Sequence, residues 1–287
     1  MRAVTIVNGE LRWEGHPDPH PGTGELLVRV MAAGINSADL LQRQGFYPAP
    51  PGSPPDIPGM ELAGEVVAVG TSVWRFAVGD RVMAIVGGGA QAELAVVHER
   101  TALPVPSAVT WAEAGGFPEA FTTAHDALVT QCGLGLGERL LVHGAAGGVG
   151  SAAVQLGAAA GARVTATVRN AALRAAVAEL GAAIDVVAPE DCVAAGPFDV
   201  ILELIGAANM GGNLEALATG GRISVIGVGA GAVAELNLMA LMGKRARIHG
   251  STLRPRPLEE KAQAARRVEA QVLPDLATGR LRVPVEA

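Results

Sequence analysis

Short apolar segments, separated by glycine, proline and polar residues, fill the first hundred positions of the chain. Five of them are rich in the aliphatic and β-branched residues typical of strands. They are residues 2–7, 25–35, 62–70, 80–88 and 91–99. Among them, helical spacing occurs only in residues 37–45, SADLLQRQG. A series of strands without long intervening helices predicts an antiparallel barrel or sandwich.

The pattern changes at about Thr110, where apolar residues begin to recur at helical spacing. Residues 110–132 predict two helices, with Thr110 as the N-cap of the first and Pro118 opening the second.

Beyond residue 137, apolar segments alternate with helical ones. Strands are predicted over residues 138–144, 162–168, 184–189, 198–206, 221–229 and 245–251. Helices are predicted over residues 148–161, 170–181, 211–220 and 235–243. Asn170 is the expected N-cap of the second helix and Gly181 its end. The connection from Ala188 to Pro197 is short for a parallel crossover, so a trimmed helix is expected there. This alternation predicts an α/β fold with a parallel sheet covered on both faces.

Composition and charge narrow the class of protein. The 287 residues suffice for one large domain or two ordinary ones, and a net charge of −6 argues against a nucleic-acid surface. Cys132 and Cys192 stand without metal-binding spacing, so neither structural zinc nor a disulfide framework is expected. The first residues lack a signal-peptide pattern, and no apolar run is long enough to span a bilayer. We expect a cytoplasmic protein without a nucleic-acid or membrane partner.

The segment LVHGAAGGVGSAAVQLG, residues 141–157, places a glycine cluster between the first strand of the alternating region and its helix. Such a turn binds a dinucleotide pyrophosphate in doubly wound sheets, because glycines admit the phosphates and the helix N-terminus offers free N–H groups. A plain packing turn is the alternative, but the position at the first strand favours dinucleotide binding. The predicted contacts are Gly144, Ala146, Gly147, Gly148, Val149 and Gly150.

The identity of the dinucleotide follows from an absent carboxylate. No acidic residue stands between Glu138 and Glu179, where an NAD site places the acid that holds the ribose 2′-hydroxyl. Arg169 stands instead at the end of the second strand, followed by Asn170. A guanidinium there binds a 2′-phosphate, which a carboxylate would repel. Arg169 as a plain surface residue is the alternative, but together the two features favour NADPH.

Several motifs together resemble one family. AAGINSADLLQRQGFYPAPPG, IPGMELAGEVVAVG, VGDRV, HGAAGGVGSAAVQLG and GSTLRPR are similar, in this order, to zinc-free quinone oxidoreductases of the medium-chain dehydrogenase/reductase superfamily. The resemblance covers nearly the whole chain. It implies a GroES-like β-barrel domain for the substrate over residues 1–115 and a Rossmann domain with a doubly wound parallel sheet for NADPH over residues 116–252. A return segment would follow over residues 253–287, and the cleft between the domains would hold the active site.

Two positions show whether the chain carries the zinc ligands found in the zinc-dependent members of this superfamily. Where zinc alcohol dehydrogenases carry a cysteine, this chain has Asn36–Ser37, and where they carry a histidine it has Met60. An amide and a thioether are poor Zn²⁺ ligands, so no metal site is expected. The remaining chemistry is hydride transfer from the nicotinamide to a small quinone or enone.

The resemblance also implies residues that line the substrate site. Asn36 is a candidate to hydrogen-bond substrate or cofactor, and Tyr47, the one tyrosine, stands in a proline-rich loop suited to a cleft. A loop aromatic packed on the barrel is the alternative for Tyr47. Asp39 is a further catalytic candidate, although capping within its own helix is favoured.

Other implied positions surround the cofactor. Thr122 and Thr123 begin a helix that contacts the nicotinamide amide in related proteins, or they are ordinary helix residues. His143 is expected to be a structural histidine inside the first strand rather than a base. The remaining cofactor candidates are Gly206, Gly227 and Arg254. Arg254 either reaches the cofactor or substrate or is a surface residue without a role in binding.

Two other functions stay open at this stage. An enoyl-thioester reductase of lipid or polyketide metabolism uses the same zinc-free scaffold, and a nucleotide-binding structural or RNA-binding protein is the alternative of another class. The resemblance suggests a homodimer formed through the nucleotide domain near ARIHGST. Family chains normally continue after RLRVPVEA with a helix and a strand, so a shortened return segment is expected.

Overall fold

The computed structural model describes residues 1–285 of the chain. They form two compact units: Met1–Thr122 with the segment from Leu253 onward, and Thr123–Thr252. The strands are β1 (Arg2–Val7), β2 (Glu10–Gly15), β3 (Glu25–Ala32), β4 (Glu61–Val69), β5 (Arg81–Ile85), β6 (Leu94–His98), β7 (Ala102–Pro104), β8 (Arg139–Val142), β9 (Arg163–Thr167), β10 (Ile184–Val187), β11 (Phe198–Glu203), β12 (Leu217–Val225) and β13 (Arg247–Gly250). The helices are α1 (Ser37–Arg43), α2 (Trp111–Gly115), α3 (Pro118–His125), α4 (Gly148–Ala159), α5 (Arg174–Ala178), α6 (Met210–Ala216), α7 (Leu238–Gly243), α8 (Leu258–Gln271) and α9 (Leu273–Ala277).

The first unit is built on antiparallel strands, as predicted. β1 and β2 form a hairpin, and a five-stranded sheet runs in the order β6-β3-β4-β5-β7. Alternate side chains of β3 and β4 point into one core, where Leu26, Val28, Leu62 and Val66 are fully buried. This alternation is why an apolar-polar pattern predicts half-buried strands.

The second unit is a doubly wound parallel sheet, which confirms the predicted α/β alternation. Six parallel strands lie in the order β10-β9-β8-β11-β12-β13. The order reverses between β8 and β11, and ligands of such sheets bind outside the carboxyl ends of the strands at that point. Its core contains Leu141, Phe198, Ile201 and Ile223.

Local signals in the sequence are confirmed at the helix starts. Thr110 caps α2: its hydroxyl accepts from the Glu113 N–H at 3.3 Å, and the Glu113 carboxylate accepts from the Thr110 N–H at 2.9 Å. Pro118 opens α3, and the Asn170 side chain accepts from the Ala172 N–H at 3.1 Å. The connection between β10 and β11 contains only a 3₁₀ turn, Pro189–Asp191, as its length predicts.

Three predicted helices differ in their bounds from the observed ones. The one predicted over 235–243 begins at Leu238, after its N-cap Asn237. The one over 170–181 begins as a 3₁₀ turn, Ala171–Leu173, and ends at Ala178, before the predicted stop at Gly181. The one over 211–220 ends at Ala216, because β12 already begins at Leu217.

Four elements escaped prediction. β2 has exposed or half-buried side chains throughout, so no apolar alternation marks it, and β7 has three residues. The long helix α8 buries mainly alanines, so its buried face differs little in hydrophobicity from its exposed face. The short helix α9 follows α8 after one residue. Within residues 1–285, every helix is too short or too polar to cross a membrane.

Candidate nucleotide and substrate sites

The glycine loop ends at the N-terminus of a helix, as the motif predicts. Gly147 is the N-cap of the 12-residue helix α4, and no acidic side chain stands in its first turn. Ala146, Gly147 and Gly148 are exposed, and Val149 is half-buried. The first-turn N–H groups of a helix lack intrahelical partners and carry partial positive charge. The loop therefore presents an anion-binding terminus to its surroundings.

The glycines of this loop serve two different purposes. Gly144 has a φ of +64°, and a Cβ at Gly150 would overlap the Gly144 carbonyl oxygen. These two glycines are needed by the fold itself. A Cβ at Gly147 would meet only Gly144 O, at an ordinary 3.5 Å. No atom of residues 1–285 therefore requires glycine at position 147, which fits a backbone kept open for a diphosphate.

Gly206 and Gly227 lie where the chain leaves β11 and β12. Gly206 has a φ of +118°, and its Cβ would stand 2.6 Å from Gly231 O. A Cβ on Gly227 would overlap the Leu204 carbonyl oxygen. Close backbone approach within the unit thus explains both glycines, and both remain at the edge of the sheet where the glycine loop lies.

A buried polar network lies beneath these loops. His143 follows the last residue of β8 and bonds Thr167 Oγ1 at 3.2 Å and Asn213 Oδ1 at 2.7 Å. Asn213 donates to Glu203 Oε2 at 2.6 Å, and Glu203 Oε1 accepts from the Gly206 N–H at 2.8 Å. His143 is therefore a satisfied structural side chain, although it lies just past the strand rather than inside it.

Arg169 and Asn170 follow the end of β9 and are exposed. Arg169 has no hydrogen bond or ion pair to any of residues 1–285, whereas the Asn170 side chain caps the next turn. Thr122 and Thr123 lie on α3 and are buried. Arg169 is thus a free cation at the carboxyl edge of the sheet.

In the first unit, Asn36 bonds a buried carboxyl group that the sequence reasoning missed. Asn36 Nδ2 donates to Glu61 Oε1 at 2.9 Å, and Glu61 Oε2 accepts from the Glu119 N–H at 2.9 Å. Glu61 is only 2% exposed. Burial raises its pKa to about 8, against the opposing effect of these two hydrogen bonds. The available signal was an acidic residue at the start of an apolar strand, GMELAGEVV.

Asp39 stabilises the start of its own helix. One carboxylate oxygen accepts from the Asn36 N–H at 2.8 Å and the other from the Gly59 N–H at 3.0 Å. Burial raises the pKa of Asp39, while the two backbone hydrogen bonds and the nearby Arg254 charge act in the opposite direction. Both oxygens are engaged by backbone, which supports the capping interpretation.

Tyr47 and Arg254 meet within the first unit. The Arg254 guanidinium lies over the Tyr47 ring and donates to Gln42 Oε1 at 2.6 Å and to Gly87 O at 2.9 Å. Arg254 is 5% exposed, so it is not a surface residue. Gln42 is a second residue that the sequence reasoning missed.

The side chains at the positions of the zinc ligands of zinc alcohol dehydrogenases make other contacts here. Met60 is buried in the first unit, and the Asn36 amide is bonded to Glu61. Among residues 1–285, no three His, Cys, Asp or Glu side chains are placed to hold a metal ion.

Two protein families match this chain. The alcohol dehydrogenase GroES-like domain matches residues 22–107, and the zinc-binding dehydrogenase family matches residues 148–270. The first match covers the five-stranded antiparallel sheet, and the second covers the doubly wound sheet from α4 onward and continues to residue 270 in α8. The fold is therefore a GroES-like domain combined with a Rossmann-like parallel sheet.

Individual relatives extend this result. A quinone oxidoreductase of Lama guanicoe is 32% identical over 262 residues, which are 88% of this chain and 78% of that protein. The synaptic vesicle membrane protein VAT-1 homolog-like of Mus musculus is 41% identical over 160 residues, 54% of this chain and 38% of that protein. Polyketide synthase GfsB of Streptomyces halstedii is 40% identical over 211 residues, 71% of this chain. The matched region spans 4% of that synthase and well under half of the VAT-1 relative.

Solved structures agree with the sequence matches. The quinone oxidoreductase of Pseudomonas syringae has a TM-score of 0.86 and 28% identity, covering 100% of this chain and 90% of its own. The quinone oxidoreductase of Thermus thermophilus, described with its NADPH complex, has a TM-score of 0.82 and 33% identity, covering 98% and 89%. The chain belongs to the zinc-free, quinone oxidoreductase-type family of the medium-chain dehydrogenase/reductase superfamily.

Proposed function

We propose that this chain is an NADPH-dependent reductase that passes a hydride to a quinone or an enone without zinc. The observation that carries the proposal is the open N-terminus of α4 together with Arg169, a cation with no partner among residues 1–285. The absence of any acid between Glu138 and Glu179 removes the usual recognition of NAD. A Thermus relative described with NADPH supports this choice.

The residues of the second unit fit such a cofactor. Ala146, Gly147 and Gly148 line the diphosphate site, where the N–H groups of Ala146 and Gly148 are the proposed donors because the Gly147 N–H donates to Gly144 O. Gly144, Val149 and Gly150 shape the loop. Arg169 and Asn170 bind the 2′-phosphate. When bound, NADPH supplies the hydride that reduces the acceptor. The loops of Gly206 and Gly227 and the helix residue Thr123 complete the proposed contacts.

The first unit supplies the acceptor side. We place Asn36 and Tyr47 at the substrate, with Asp39 holding the start of α1 and Arg254 holding the Tyr47 loop. A side-chain N–H of Asn36 stabilises the negative charge that develops on the acceptor oxygen. A reduced quinone takes its protons from water, so quinone reduction needs no dedicated acid, whereas an enone needs a proton donor beside the developing enolate.

Steady-state oxidation of NADPH and NADH with 1,4-benzoquinone and 9,10-phenanthrenequinone, with and without a chelator, tests the proposal. We expect turnover with NADPH that the chelator leaves unchanged, and lower kcat/KM with NADH. Loss of turnover in chelator, or equal use of NADH, contradicts it. Asn36→Leu, compared with Gln263→Leu at an exposed position of α8, separates a site effect from a general one.

An enoyl-thioester reductase is the second candidate. The observation in its favour is 40% identity over 211 residues to a polyketide synthase, above the identity to the Lama quinone oxidoreductase. A higher kcat/KM for a crotonyl thioester than for either quinone assigns the chain to this class.

We also propose a homodimer in the cytoplasm. β13 is the last strand of the parallel sheet, and Leu238, Met239 and Met242 of the nearby α7 are largely exposed. A strand edge with adjoining apolar side chains suits pairing with a second copy. Cys132 and Cys192 are free thiols, as is usual in a reducing compartment. Light scattering that shows a monomer contradicts the dimer.

A further inference from the structure

We propose that Glu203 is a positioning residue that joins the loop after β11 to the glycine loop, so that the two loops bind NADPH as one surface. It acts through hydrogen bonds to Asn213, His143 and Thr167, and these four side chains are named the relay here. The inference rests on the proposed function, in which both loops contact the cofactor. It assigns a role to a buried carboxyl group that the proposed chemistry does not use.

One oxygen of Glu203 holds the loop after β11. Glu203 is the last residue of that strand and is fully buried. Its Oε1 accepts from the N–H groups of Ile205 at 2.6 Å and of Gly206 at 2.8 Å, and Asn209 Nδ2 donates to it at 3.3 Å. Because this oxygen takes the place of water for two successive N–H groups, it fixes the backbone where the chain leaves the sheet.

The other oxygen begins the series that leads to the glycine loop. Asn213 Nδ2 donates to Glu203 Oε2 at 2.6 Å, so the Asn213 amide oxygen faces His143 and accepts from its Nε2 at 2.7 Å. In the neutral ring with its proton on Nε2, His143 Nδ1 accepts from the Thr167 hydroxyl at 3.2 Å. The Thr167 oxygen accepts from the Gly144 N–H at 3.4 Å. Every donor in the series therefore points from Gly144 towards Glu203.

The relay is closed to solvent. Each of its four side chains is at most 3% exposed. A buried polar group is costly unless it is hydrogen-bonded, so removal of one member leaves its neighbour unpaired. Packing alone does not require four polar side chains at this place, because apolar side chains of the same shape can be equally stable. The relay therefore serves the connection between the loops rather than the packing of the core.

The two loops also touch directly. A Cβ on Gly144 would stand 3.0 Å from Ile205 Cδ1, so the Ile205 side chain lies against the first glycine of the loop. The Ile205 N–H is one of the groups that Glu203 holds. β8 and β11 are neighbours at the point where the strand order reverses, and a dinucleotide binds across the carboxyl ends of the strands there. Glu203 thereby sets the register of two loops that the cofactor has to span.

A double-mutant cycle on the Kd of NADPH tests the relay. Glu203→Gln has a single acceptor oxygen, which serves either the Ile205 and Gly206 N–H groups or Asn213. Thr167→Val keeps the shape of the side chain and removes the hydroxyl. We expect each variant to raise the Kd about tenfold, and the double variant also about tenfold, because either change already breaks the series. A rise of about a hundredfold in the double variant, or no rise in the single variants, overturns the proposal.

Thr165→Val is the matched control. Thr165 is also buried, lies on the same face of β9 two residues earlier, and is not a member of the relay. It should keep the wild-type Kd of NADPH. Adenosine 2′,5′-bisphosphate lacks the diphosphate and the nicotinamide, so every variant should bind it as wild type does. A loss of affinity for this probe that equals the loss for NADPH overturns the assignment to the two loops.

A second readout needs no cofactor. In the NMR spectrum of the protein alone, Glu203→Gln should shift the backbone N–H signal of Gly144, and Thr167→Val should shift that of Gly206. Each signal belongs to the far end of the relay, and Thr165→Val should move neither. Shifts confined to the near end overturn the inference. If the far-end shifts occur but wild type does not bind NADPH, the proposed function fails while the connection between the loops stands.

Discussion

The Arg254 guanidinium carbon lies 5.0 Å from the centre of the Tyr47 ring, and Arg254 Nη1 donates to the Tyr47 carbonyl oxygen at 3.1 Å. The same side chain reaches Gln42 on α1 and Gly87 after β5. Arg254 therefore joins three segments of the first unit and holds the loop that carries Tyr47.

Replacing this residue should loosen the loop. Arg254→Met leaves the Gln42, Tyr47 and Gly87 acceptors without their charged donor. We expect the free energy of unfolding to fall by about 2 kcal/mol or more, in urea titrations. We also expect KM for the quinone to rise about tenfold with little change in NADPH affinity, a factor that corresponds to about 1.4 kcal/mol. Arg12→Met, at an exposed position of β2, is the control. Loss of NADPH affinity with an unchanged quinone KM would place Arg254 at the cofactor instead.

Two glycines of the loop should respond differently to substitution. Gly147→Asp has room for its Cβ, so it should fold normally, but its carboxylate at the α4 terminus repels the diphosphate and should abolish NADPH binding. Gly150→Ala overlaps the Gly144 carbonyl oxygen and should lower the free energy of unfolding by about 1–3 kcal/mol. NADPH fluorescence titration and thermal unfolding measure the two effects. Full NADPH binding by a folded Gly147→Asp variant would contradict the site.

The charge at position 169 should set cofactor preference. Arg169→Ala removes the proposed partner of the 2′-phosphate and should weaken NADPH binding about 10–100-fold, from the ~1.5–3 kcal/mol of a charged hydrogen bond, while the Kd of NADH stays the same. Isothermal titration with both nucleotides measures the ratio. Arg163→Ala, exposed at the other end of β9, should change neither value. Equal losses for NADPH and NADH would remove the argument for the 2′-phosphate.

Glu61 should also make stability depend on pH. Its pKa is about 8 in the folded chain against an ordinary value of 4.5, so the folded state holds the proton more tightly than the unfolded state. The free energy of unfolding therefore falls as the pH rises through this window, by a total on the order of 4 kcal/mol. Urea titrations from about pH 5 to 9 should show this slope in wild type and Glu65→Gln and a reduced slope in Glu61→Gln. Identical slopes in all three proteins would mean that Glu61 ionises normally.

The features predicted correctly are those whose causes lie within a few residues. Thr110 and Glu113 form their capping box three positions apart, and Asn170 caps a turn two residues on. The glycine loop and the alternation of strands and helices likewise depend on neighbouring residues and on periodicity. Interactions between residues that are close in sequence can be predicted from residue type and spacing.

The remaining features depend on partners that are distant in sequence. Asn36 meets Glu61 across 25 residues, and Arg254 meets Gln42 across 212. The sequence by itself determined the two sheet types, the starts of α2 and α3, and the glycine loop at the start of α4. Only the tertiary structure decided that the Glu61 carboxyl group is buried away from solvent and that Arg254 is buried beside Tyr47. The physical reason is that desolvation and long-range hydrogen bonds arise only once the strands have packed.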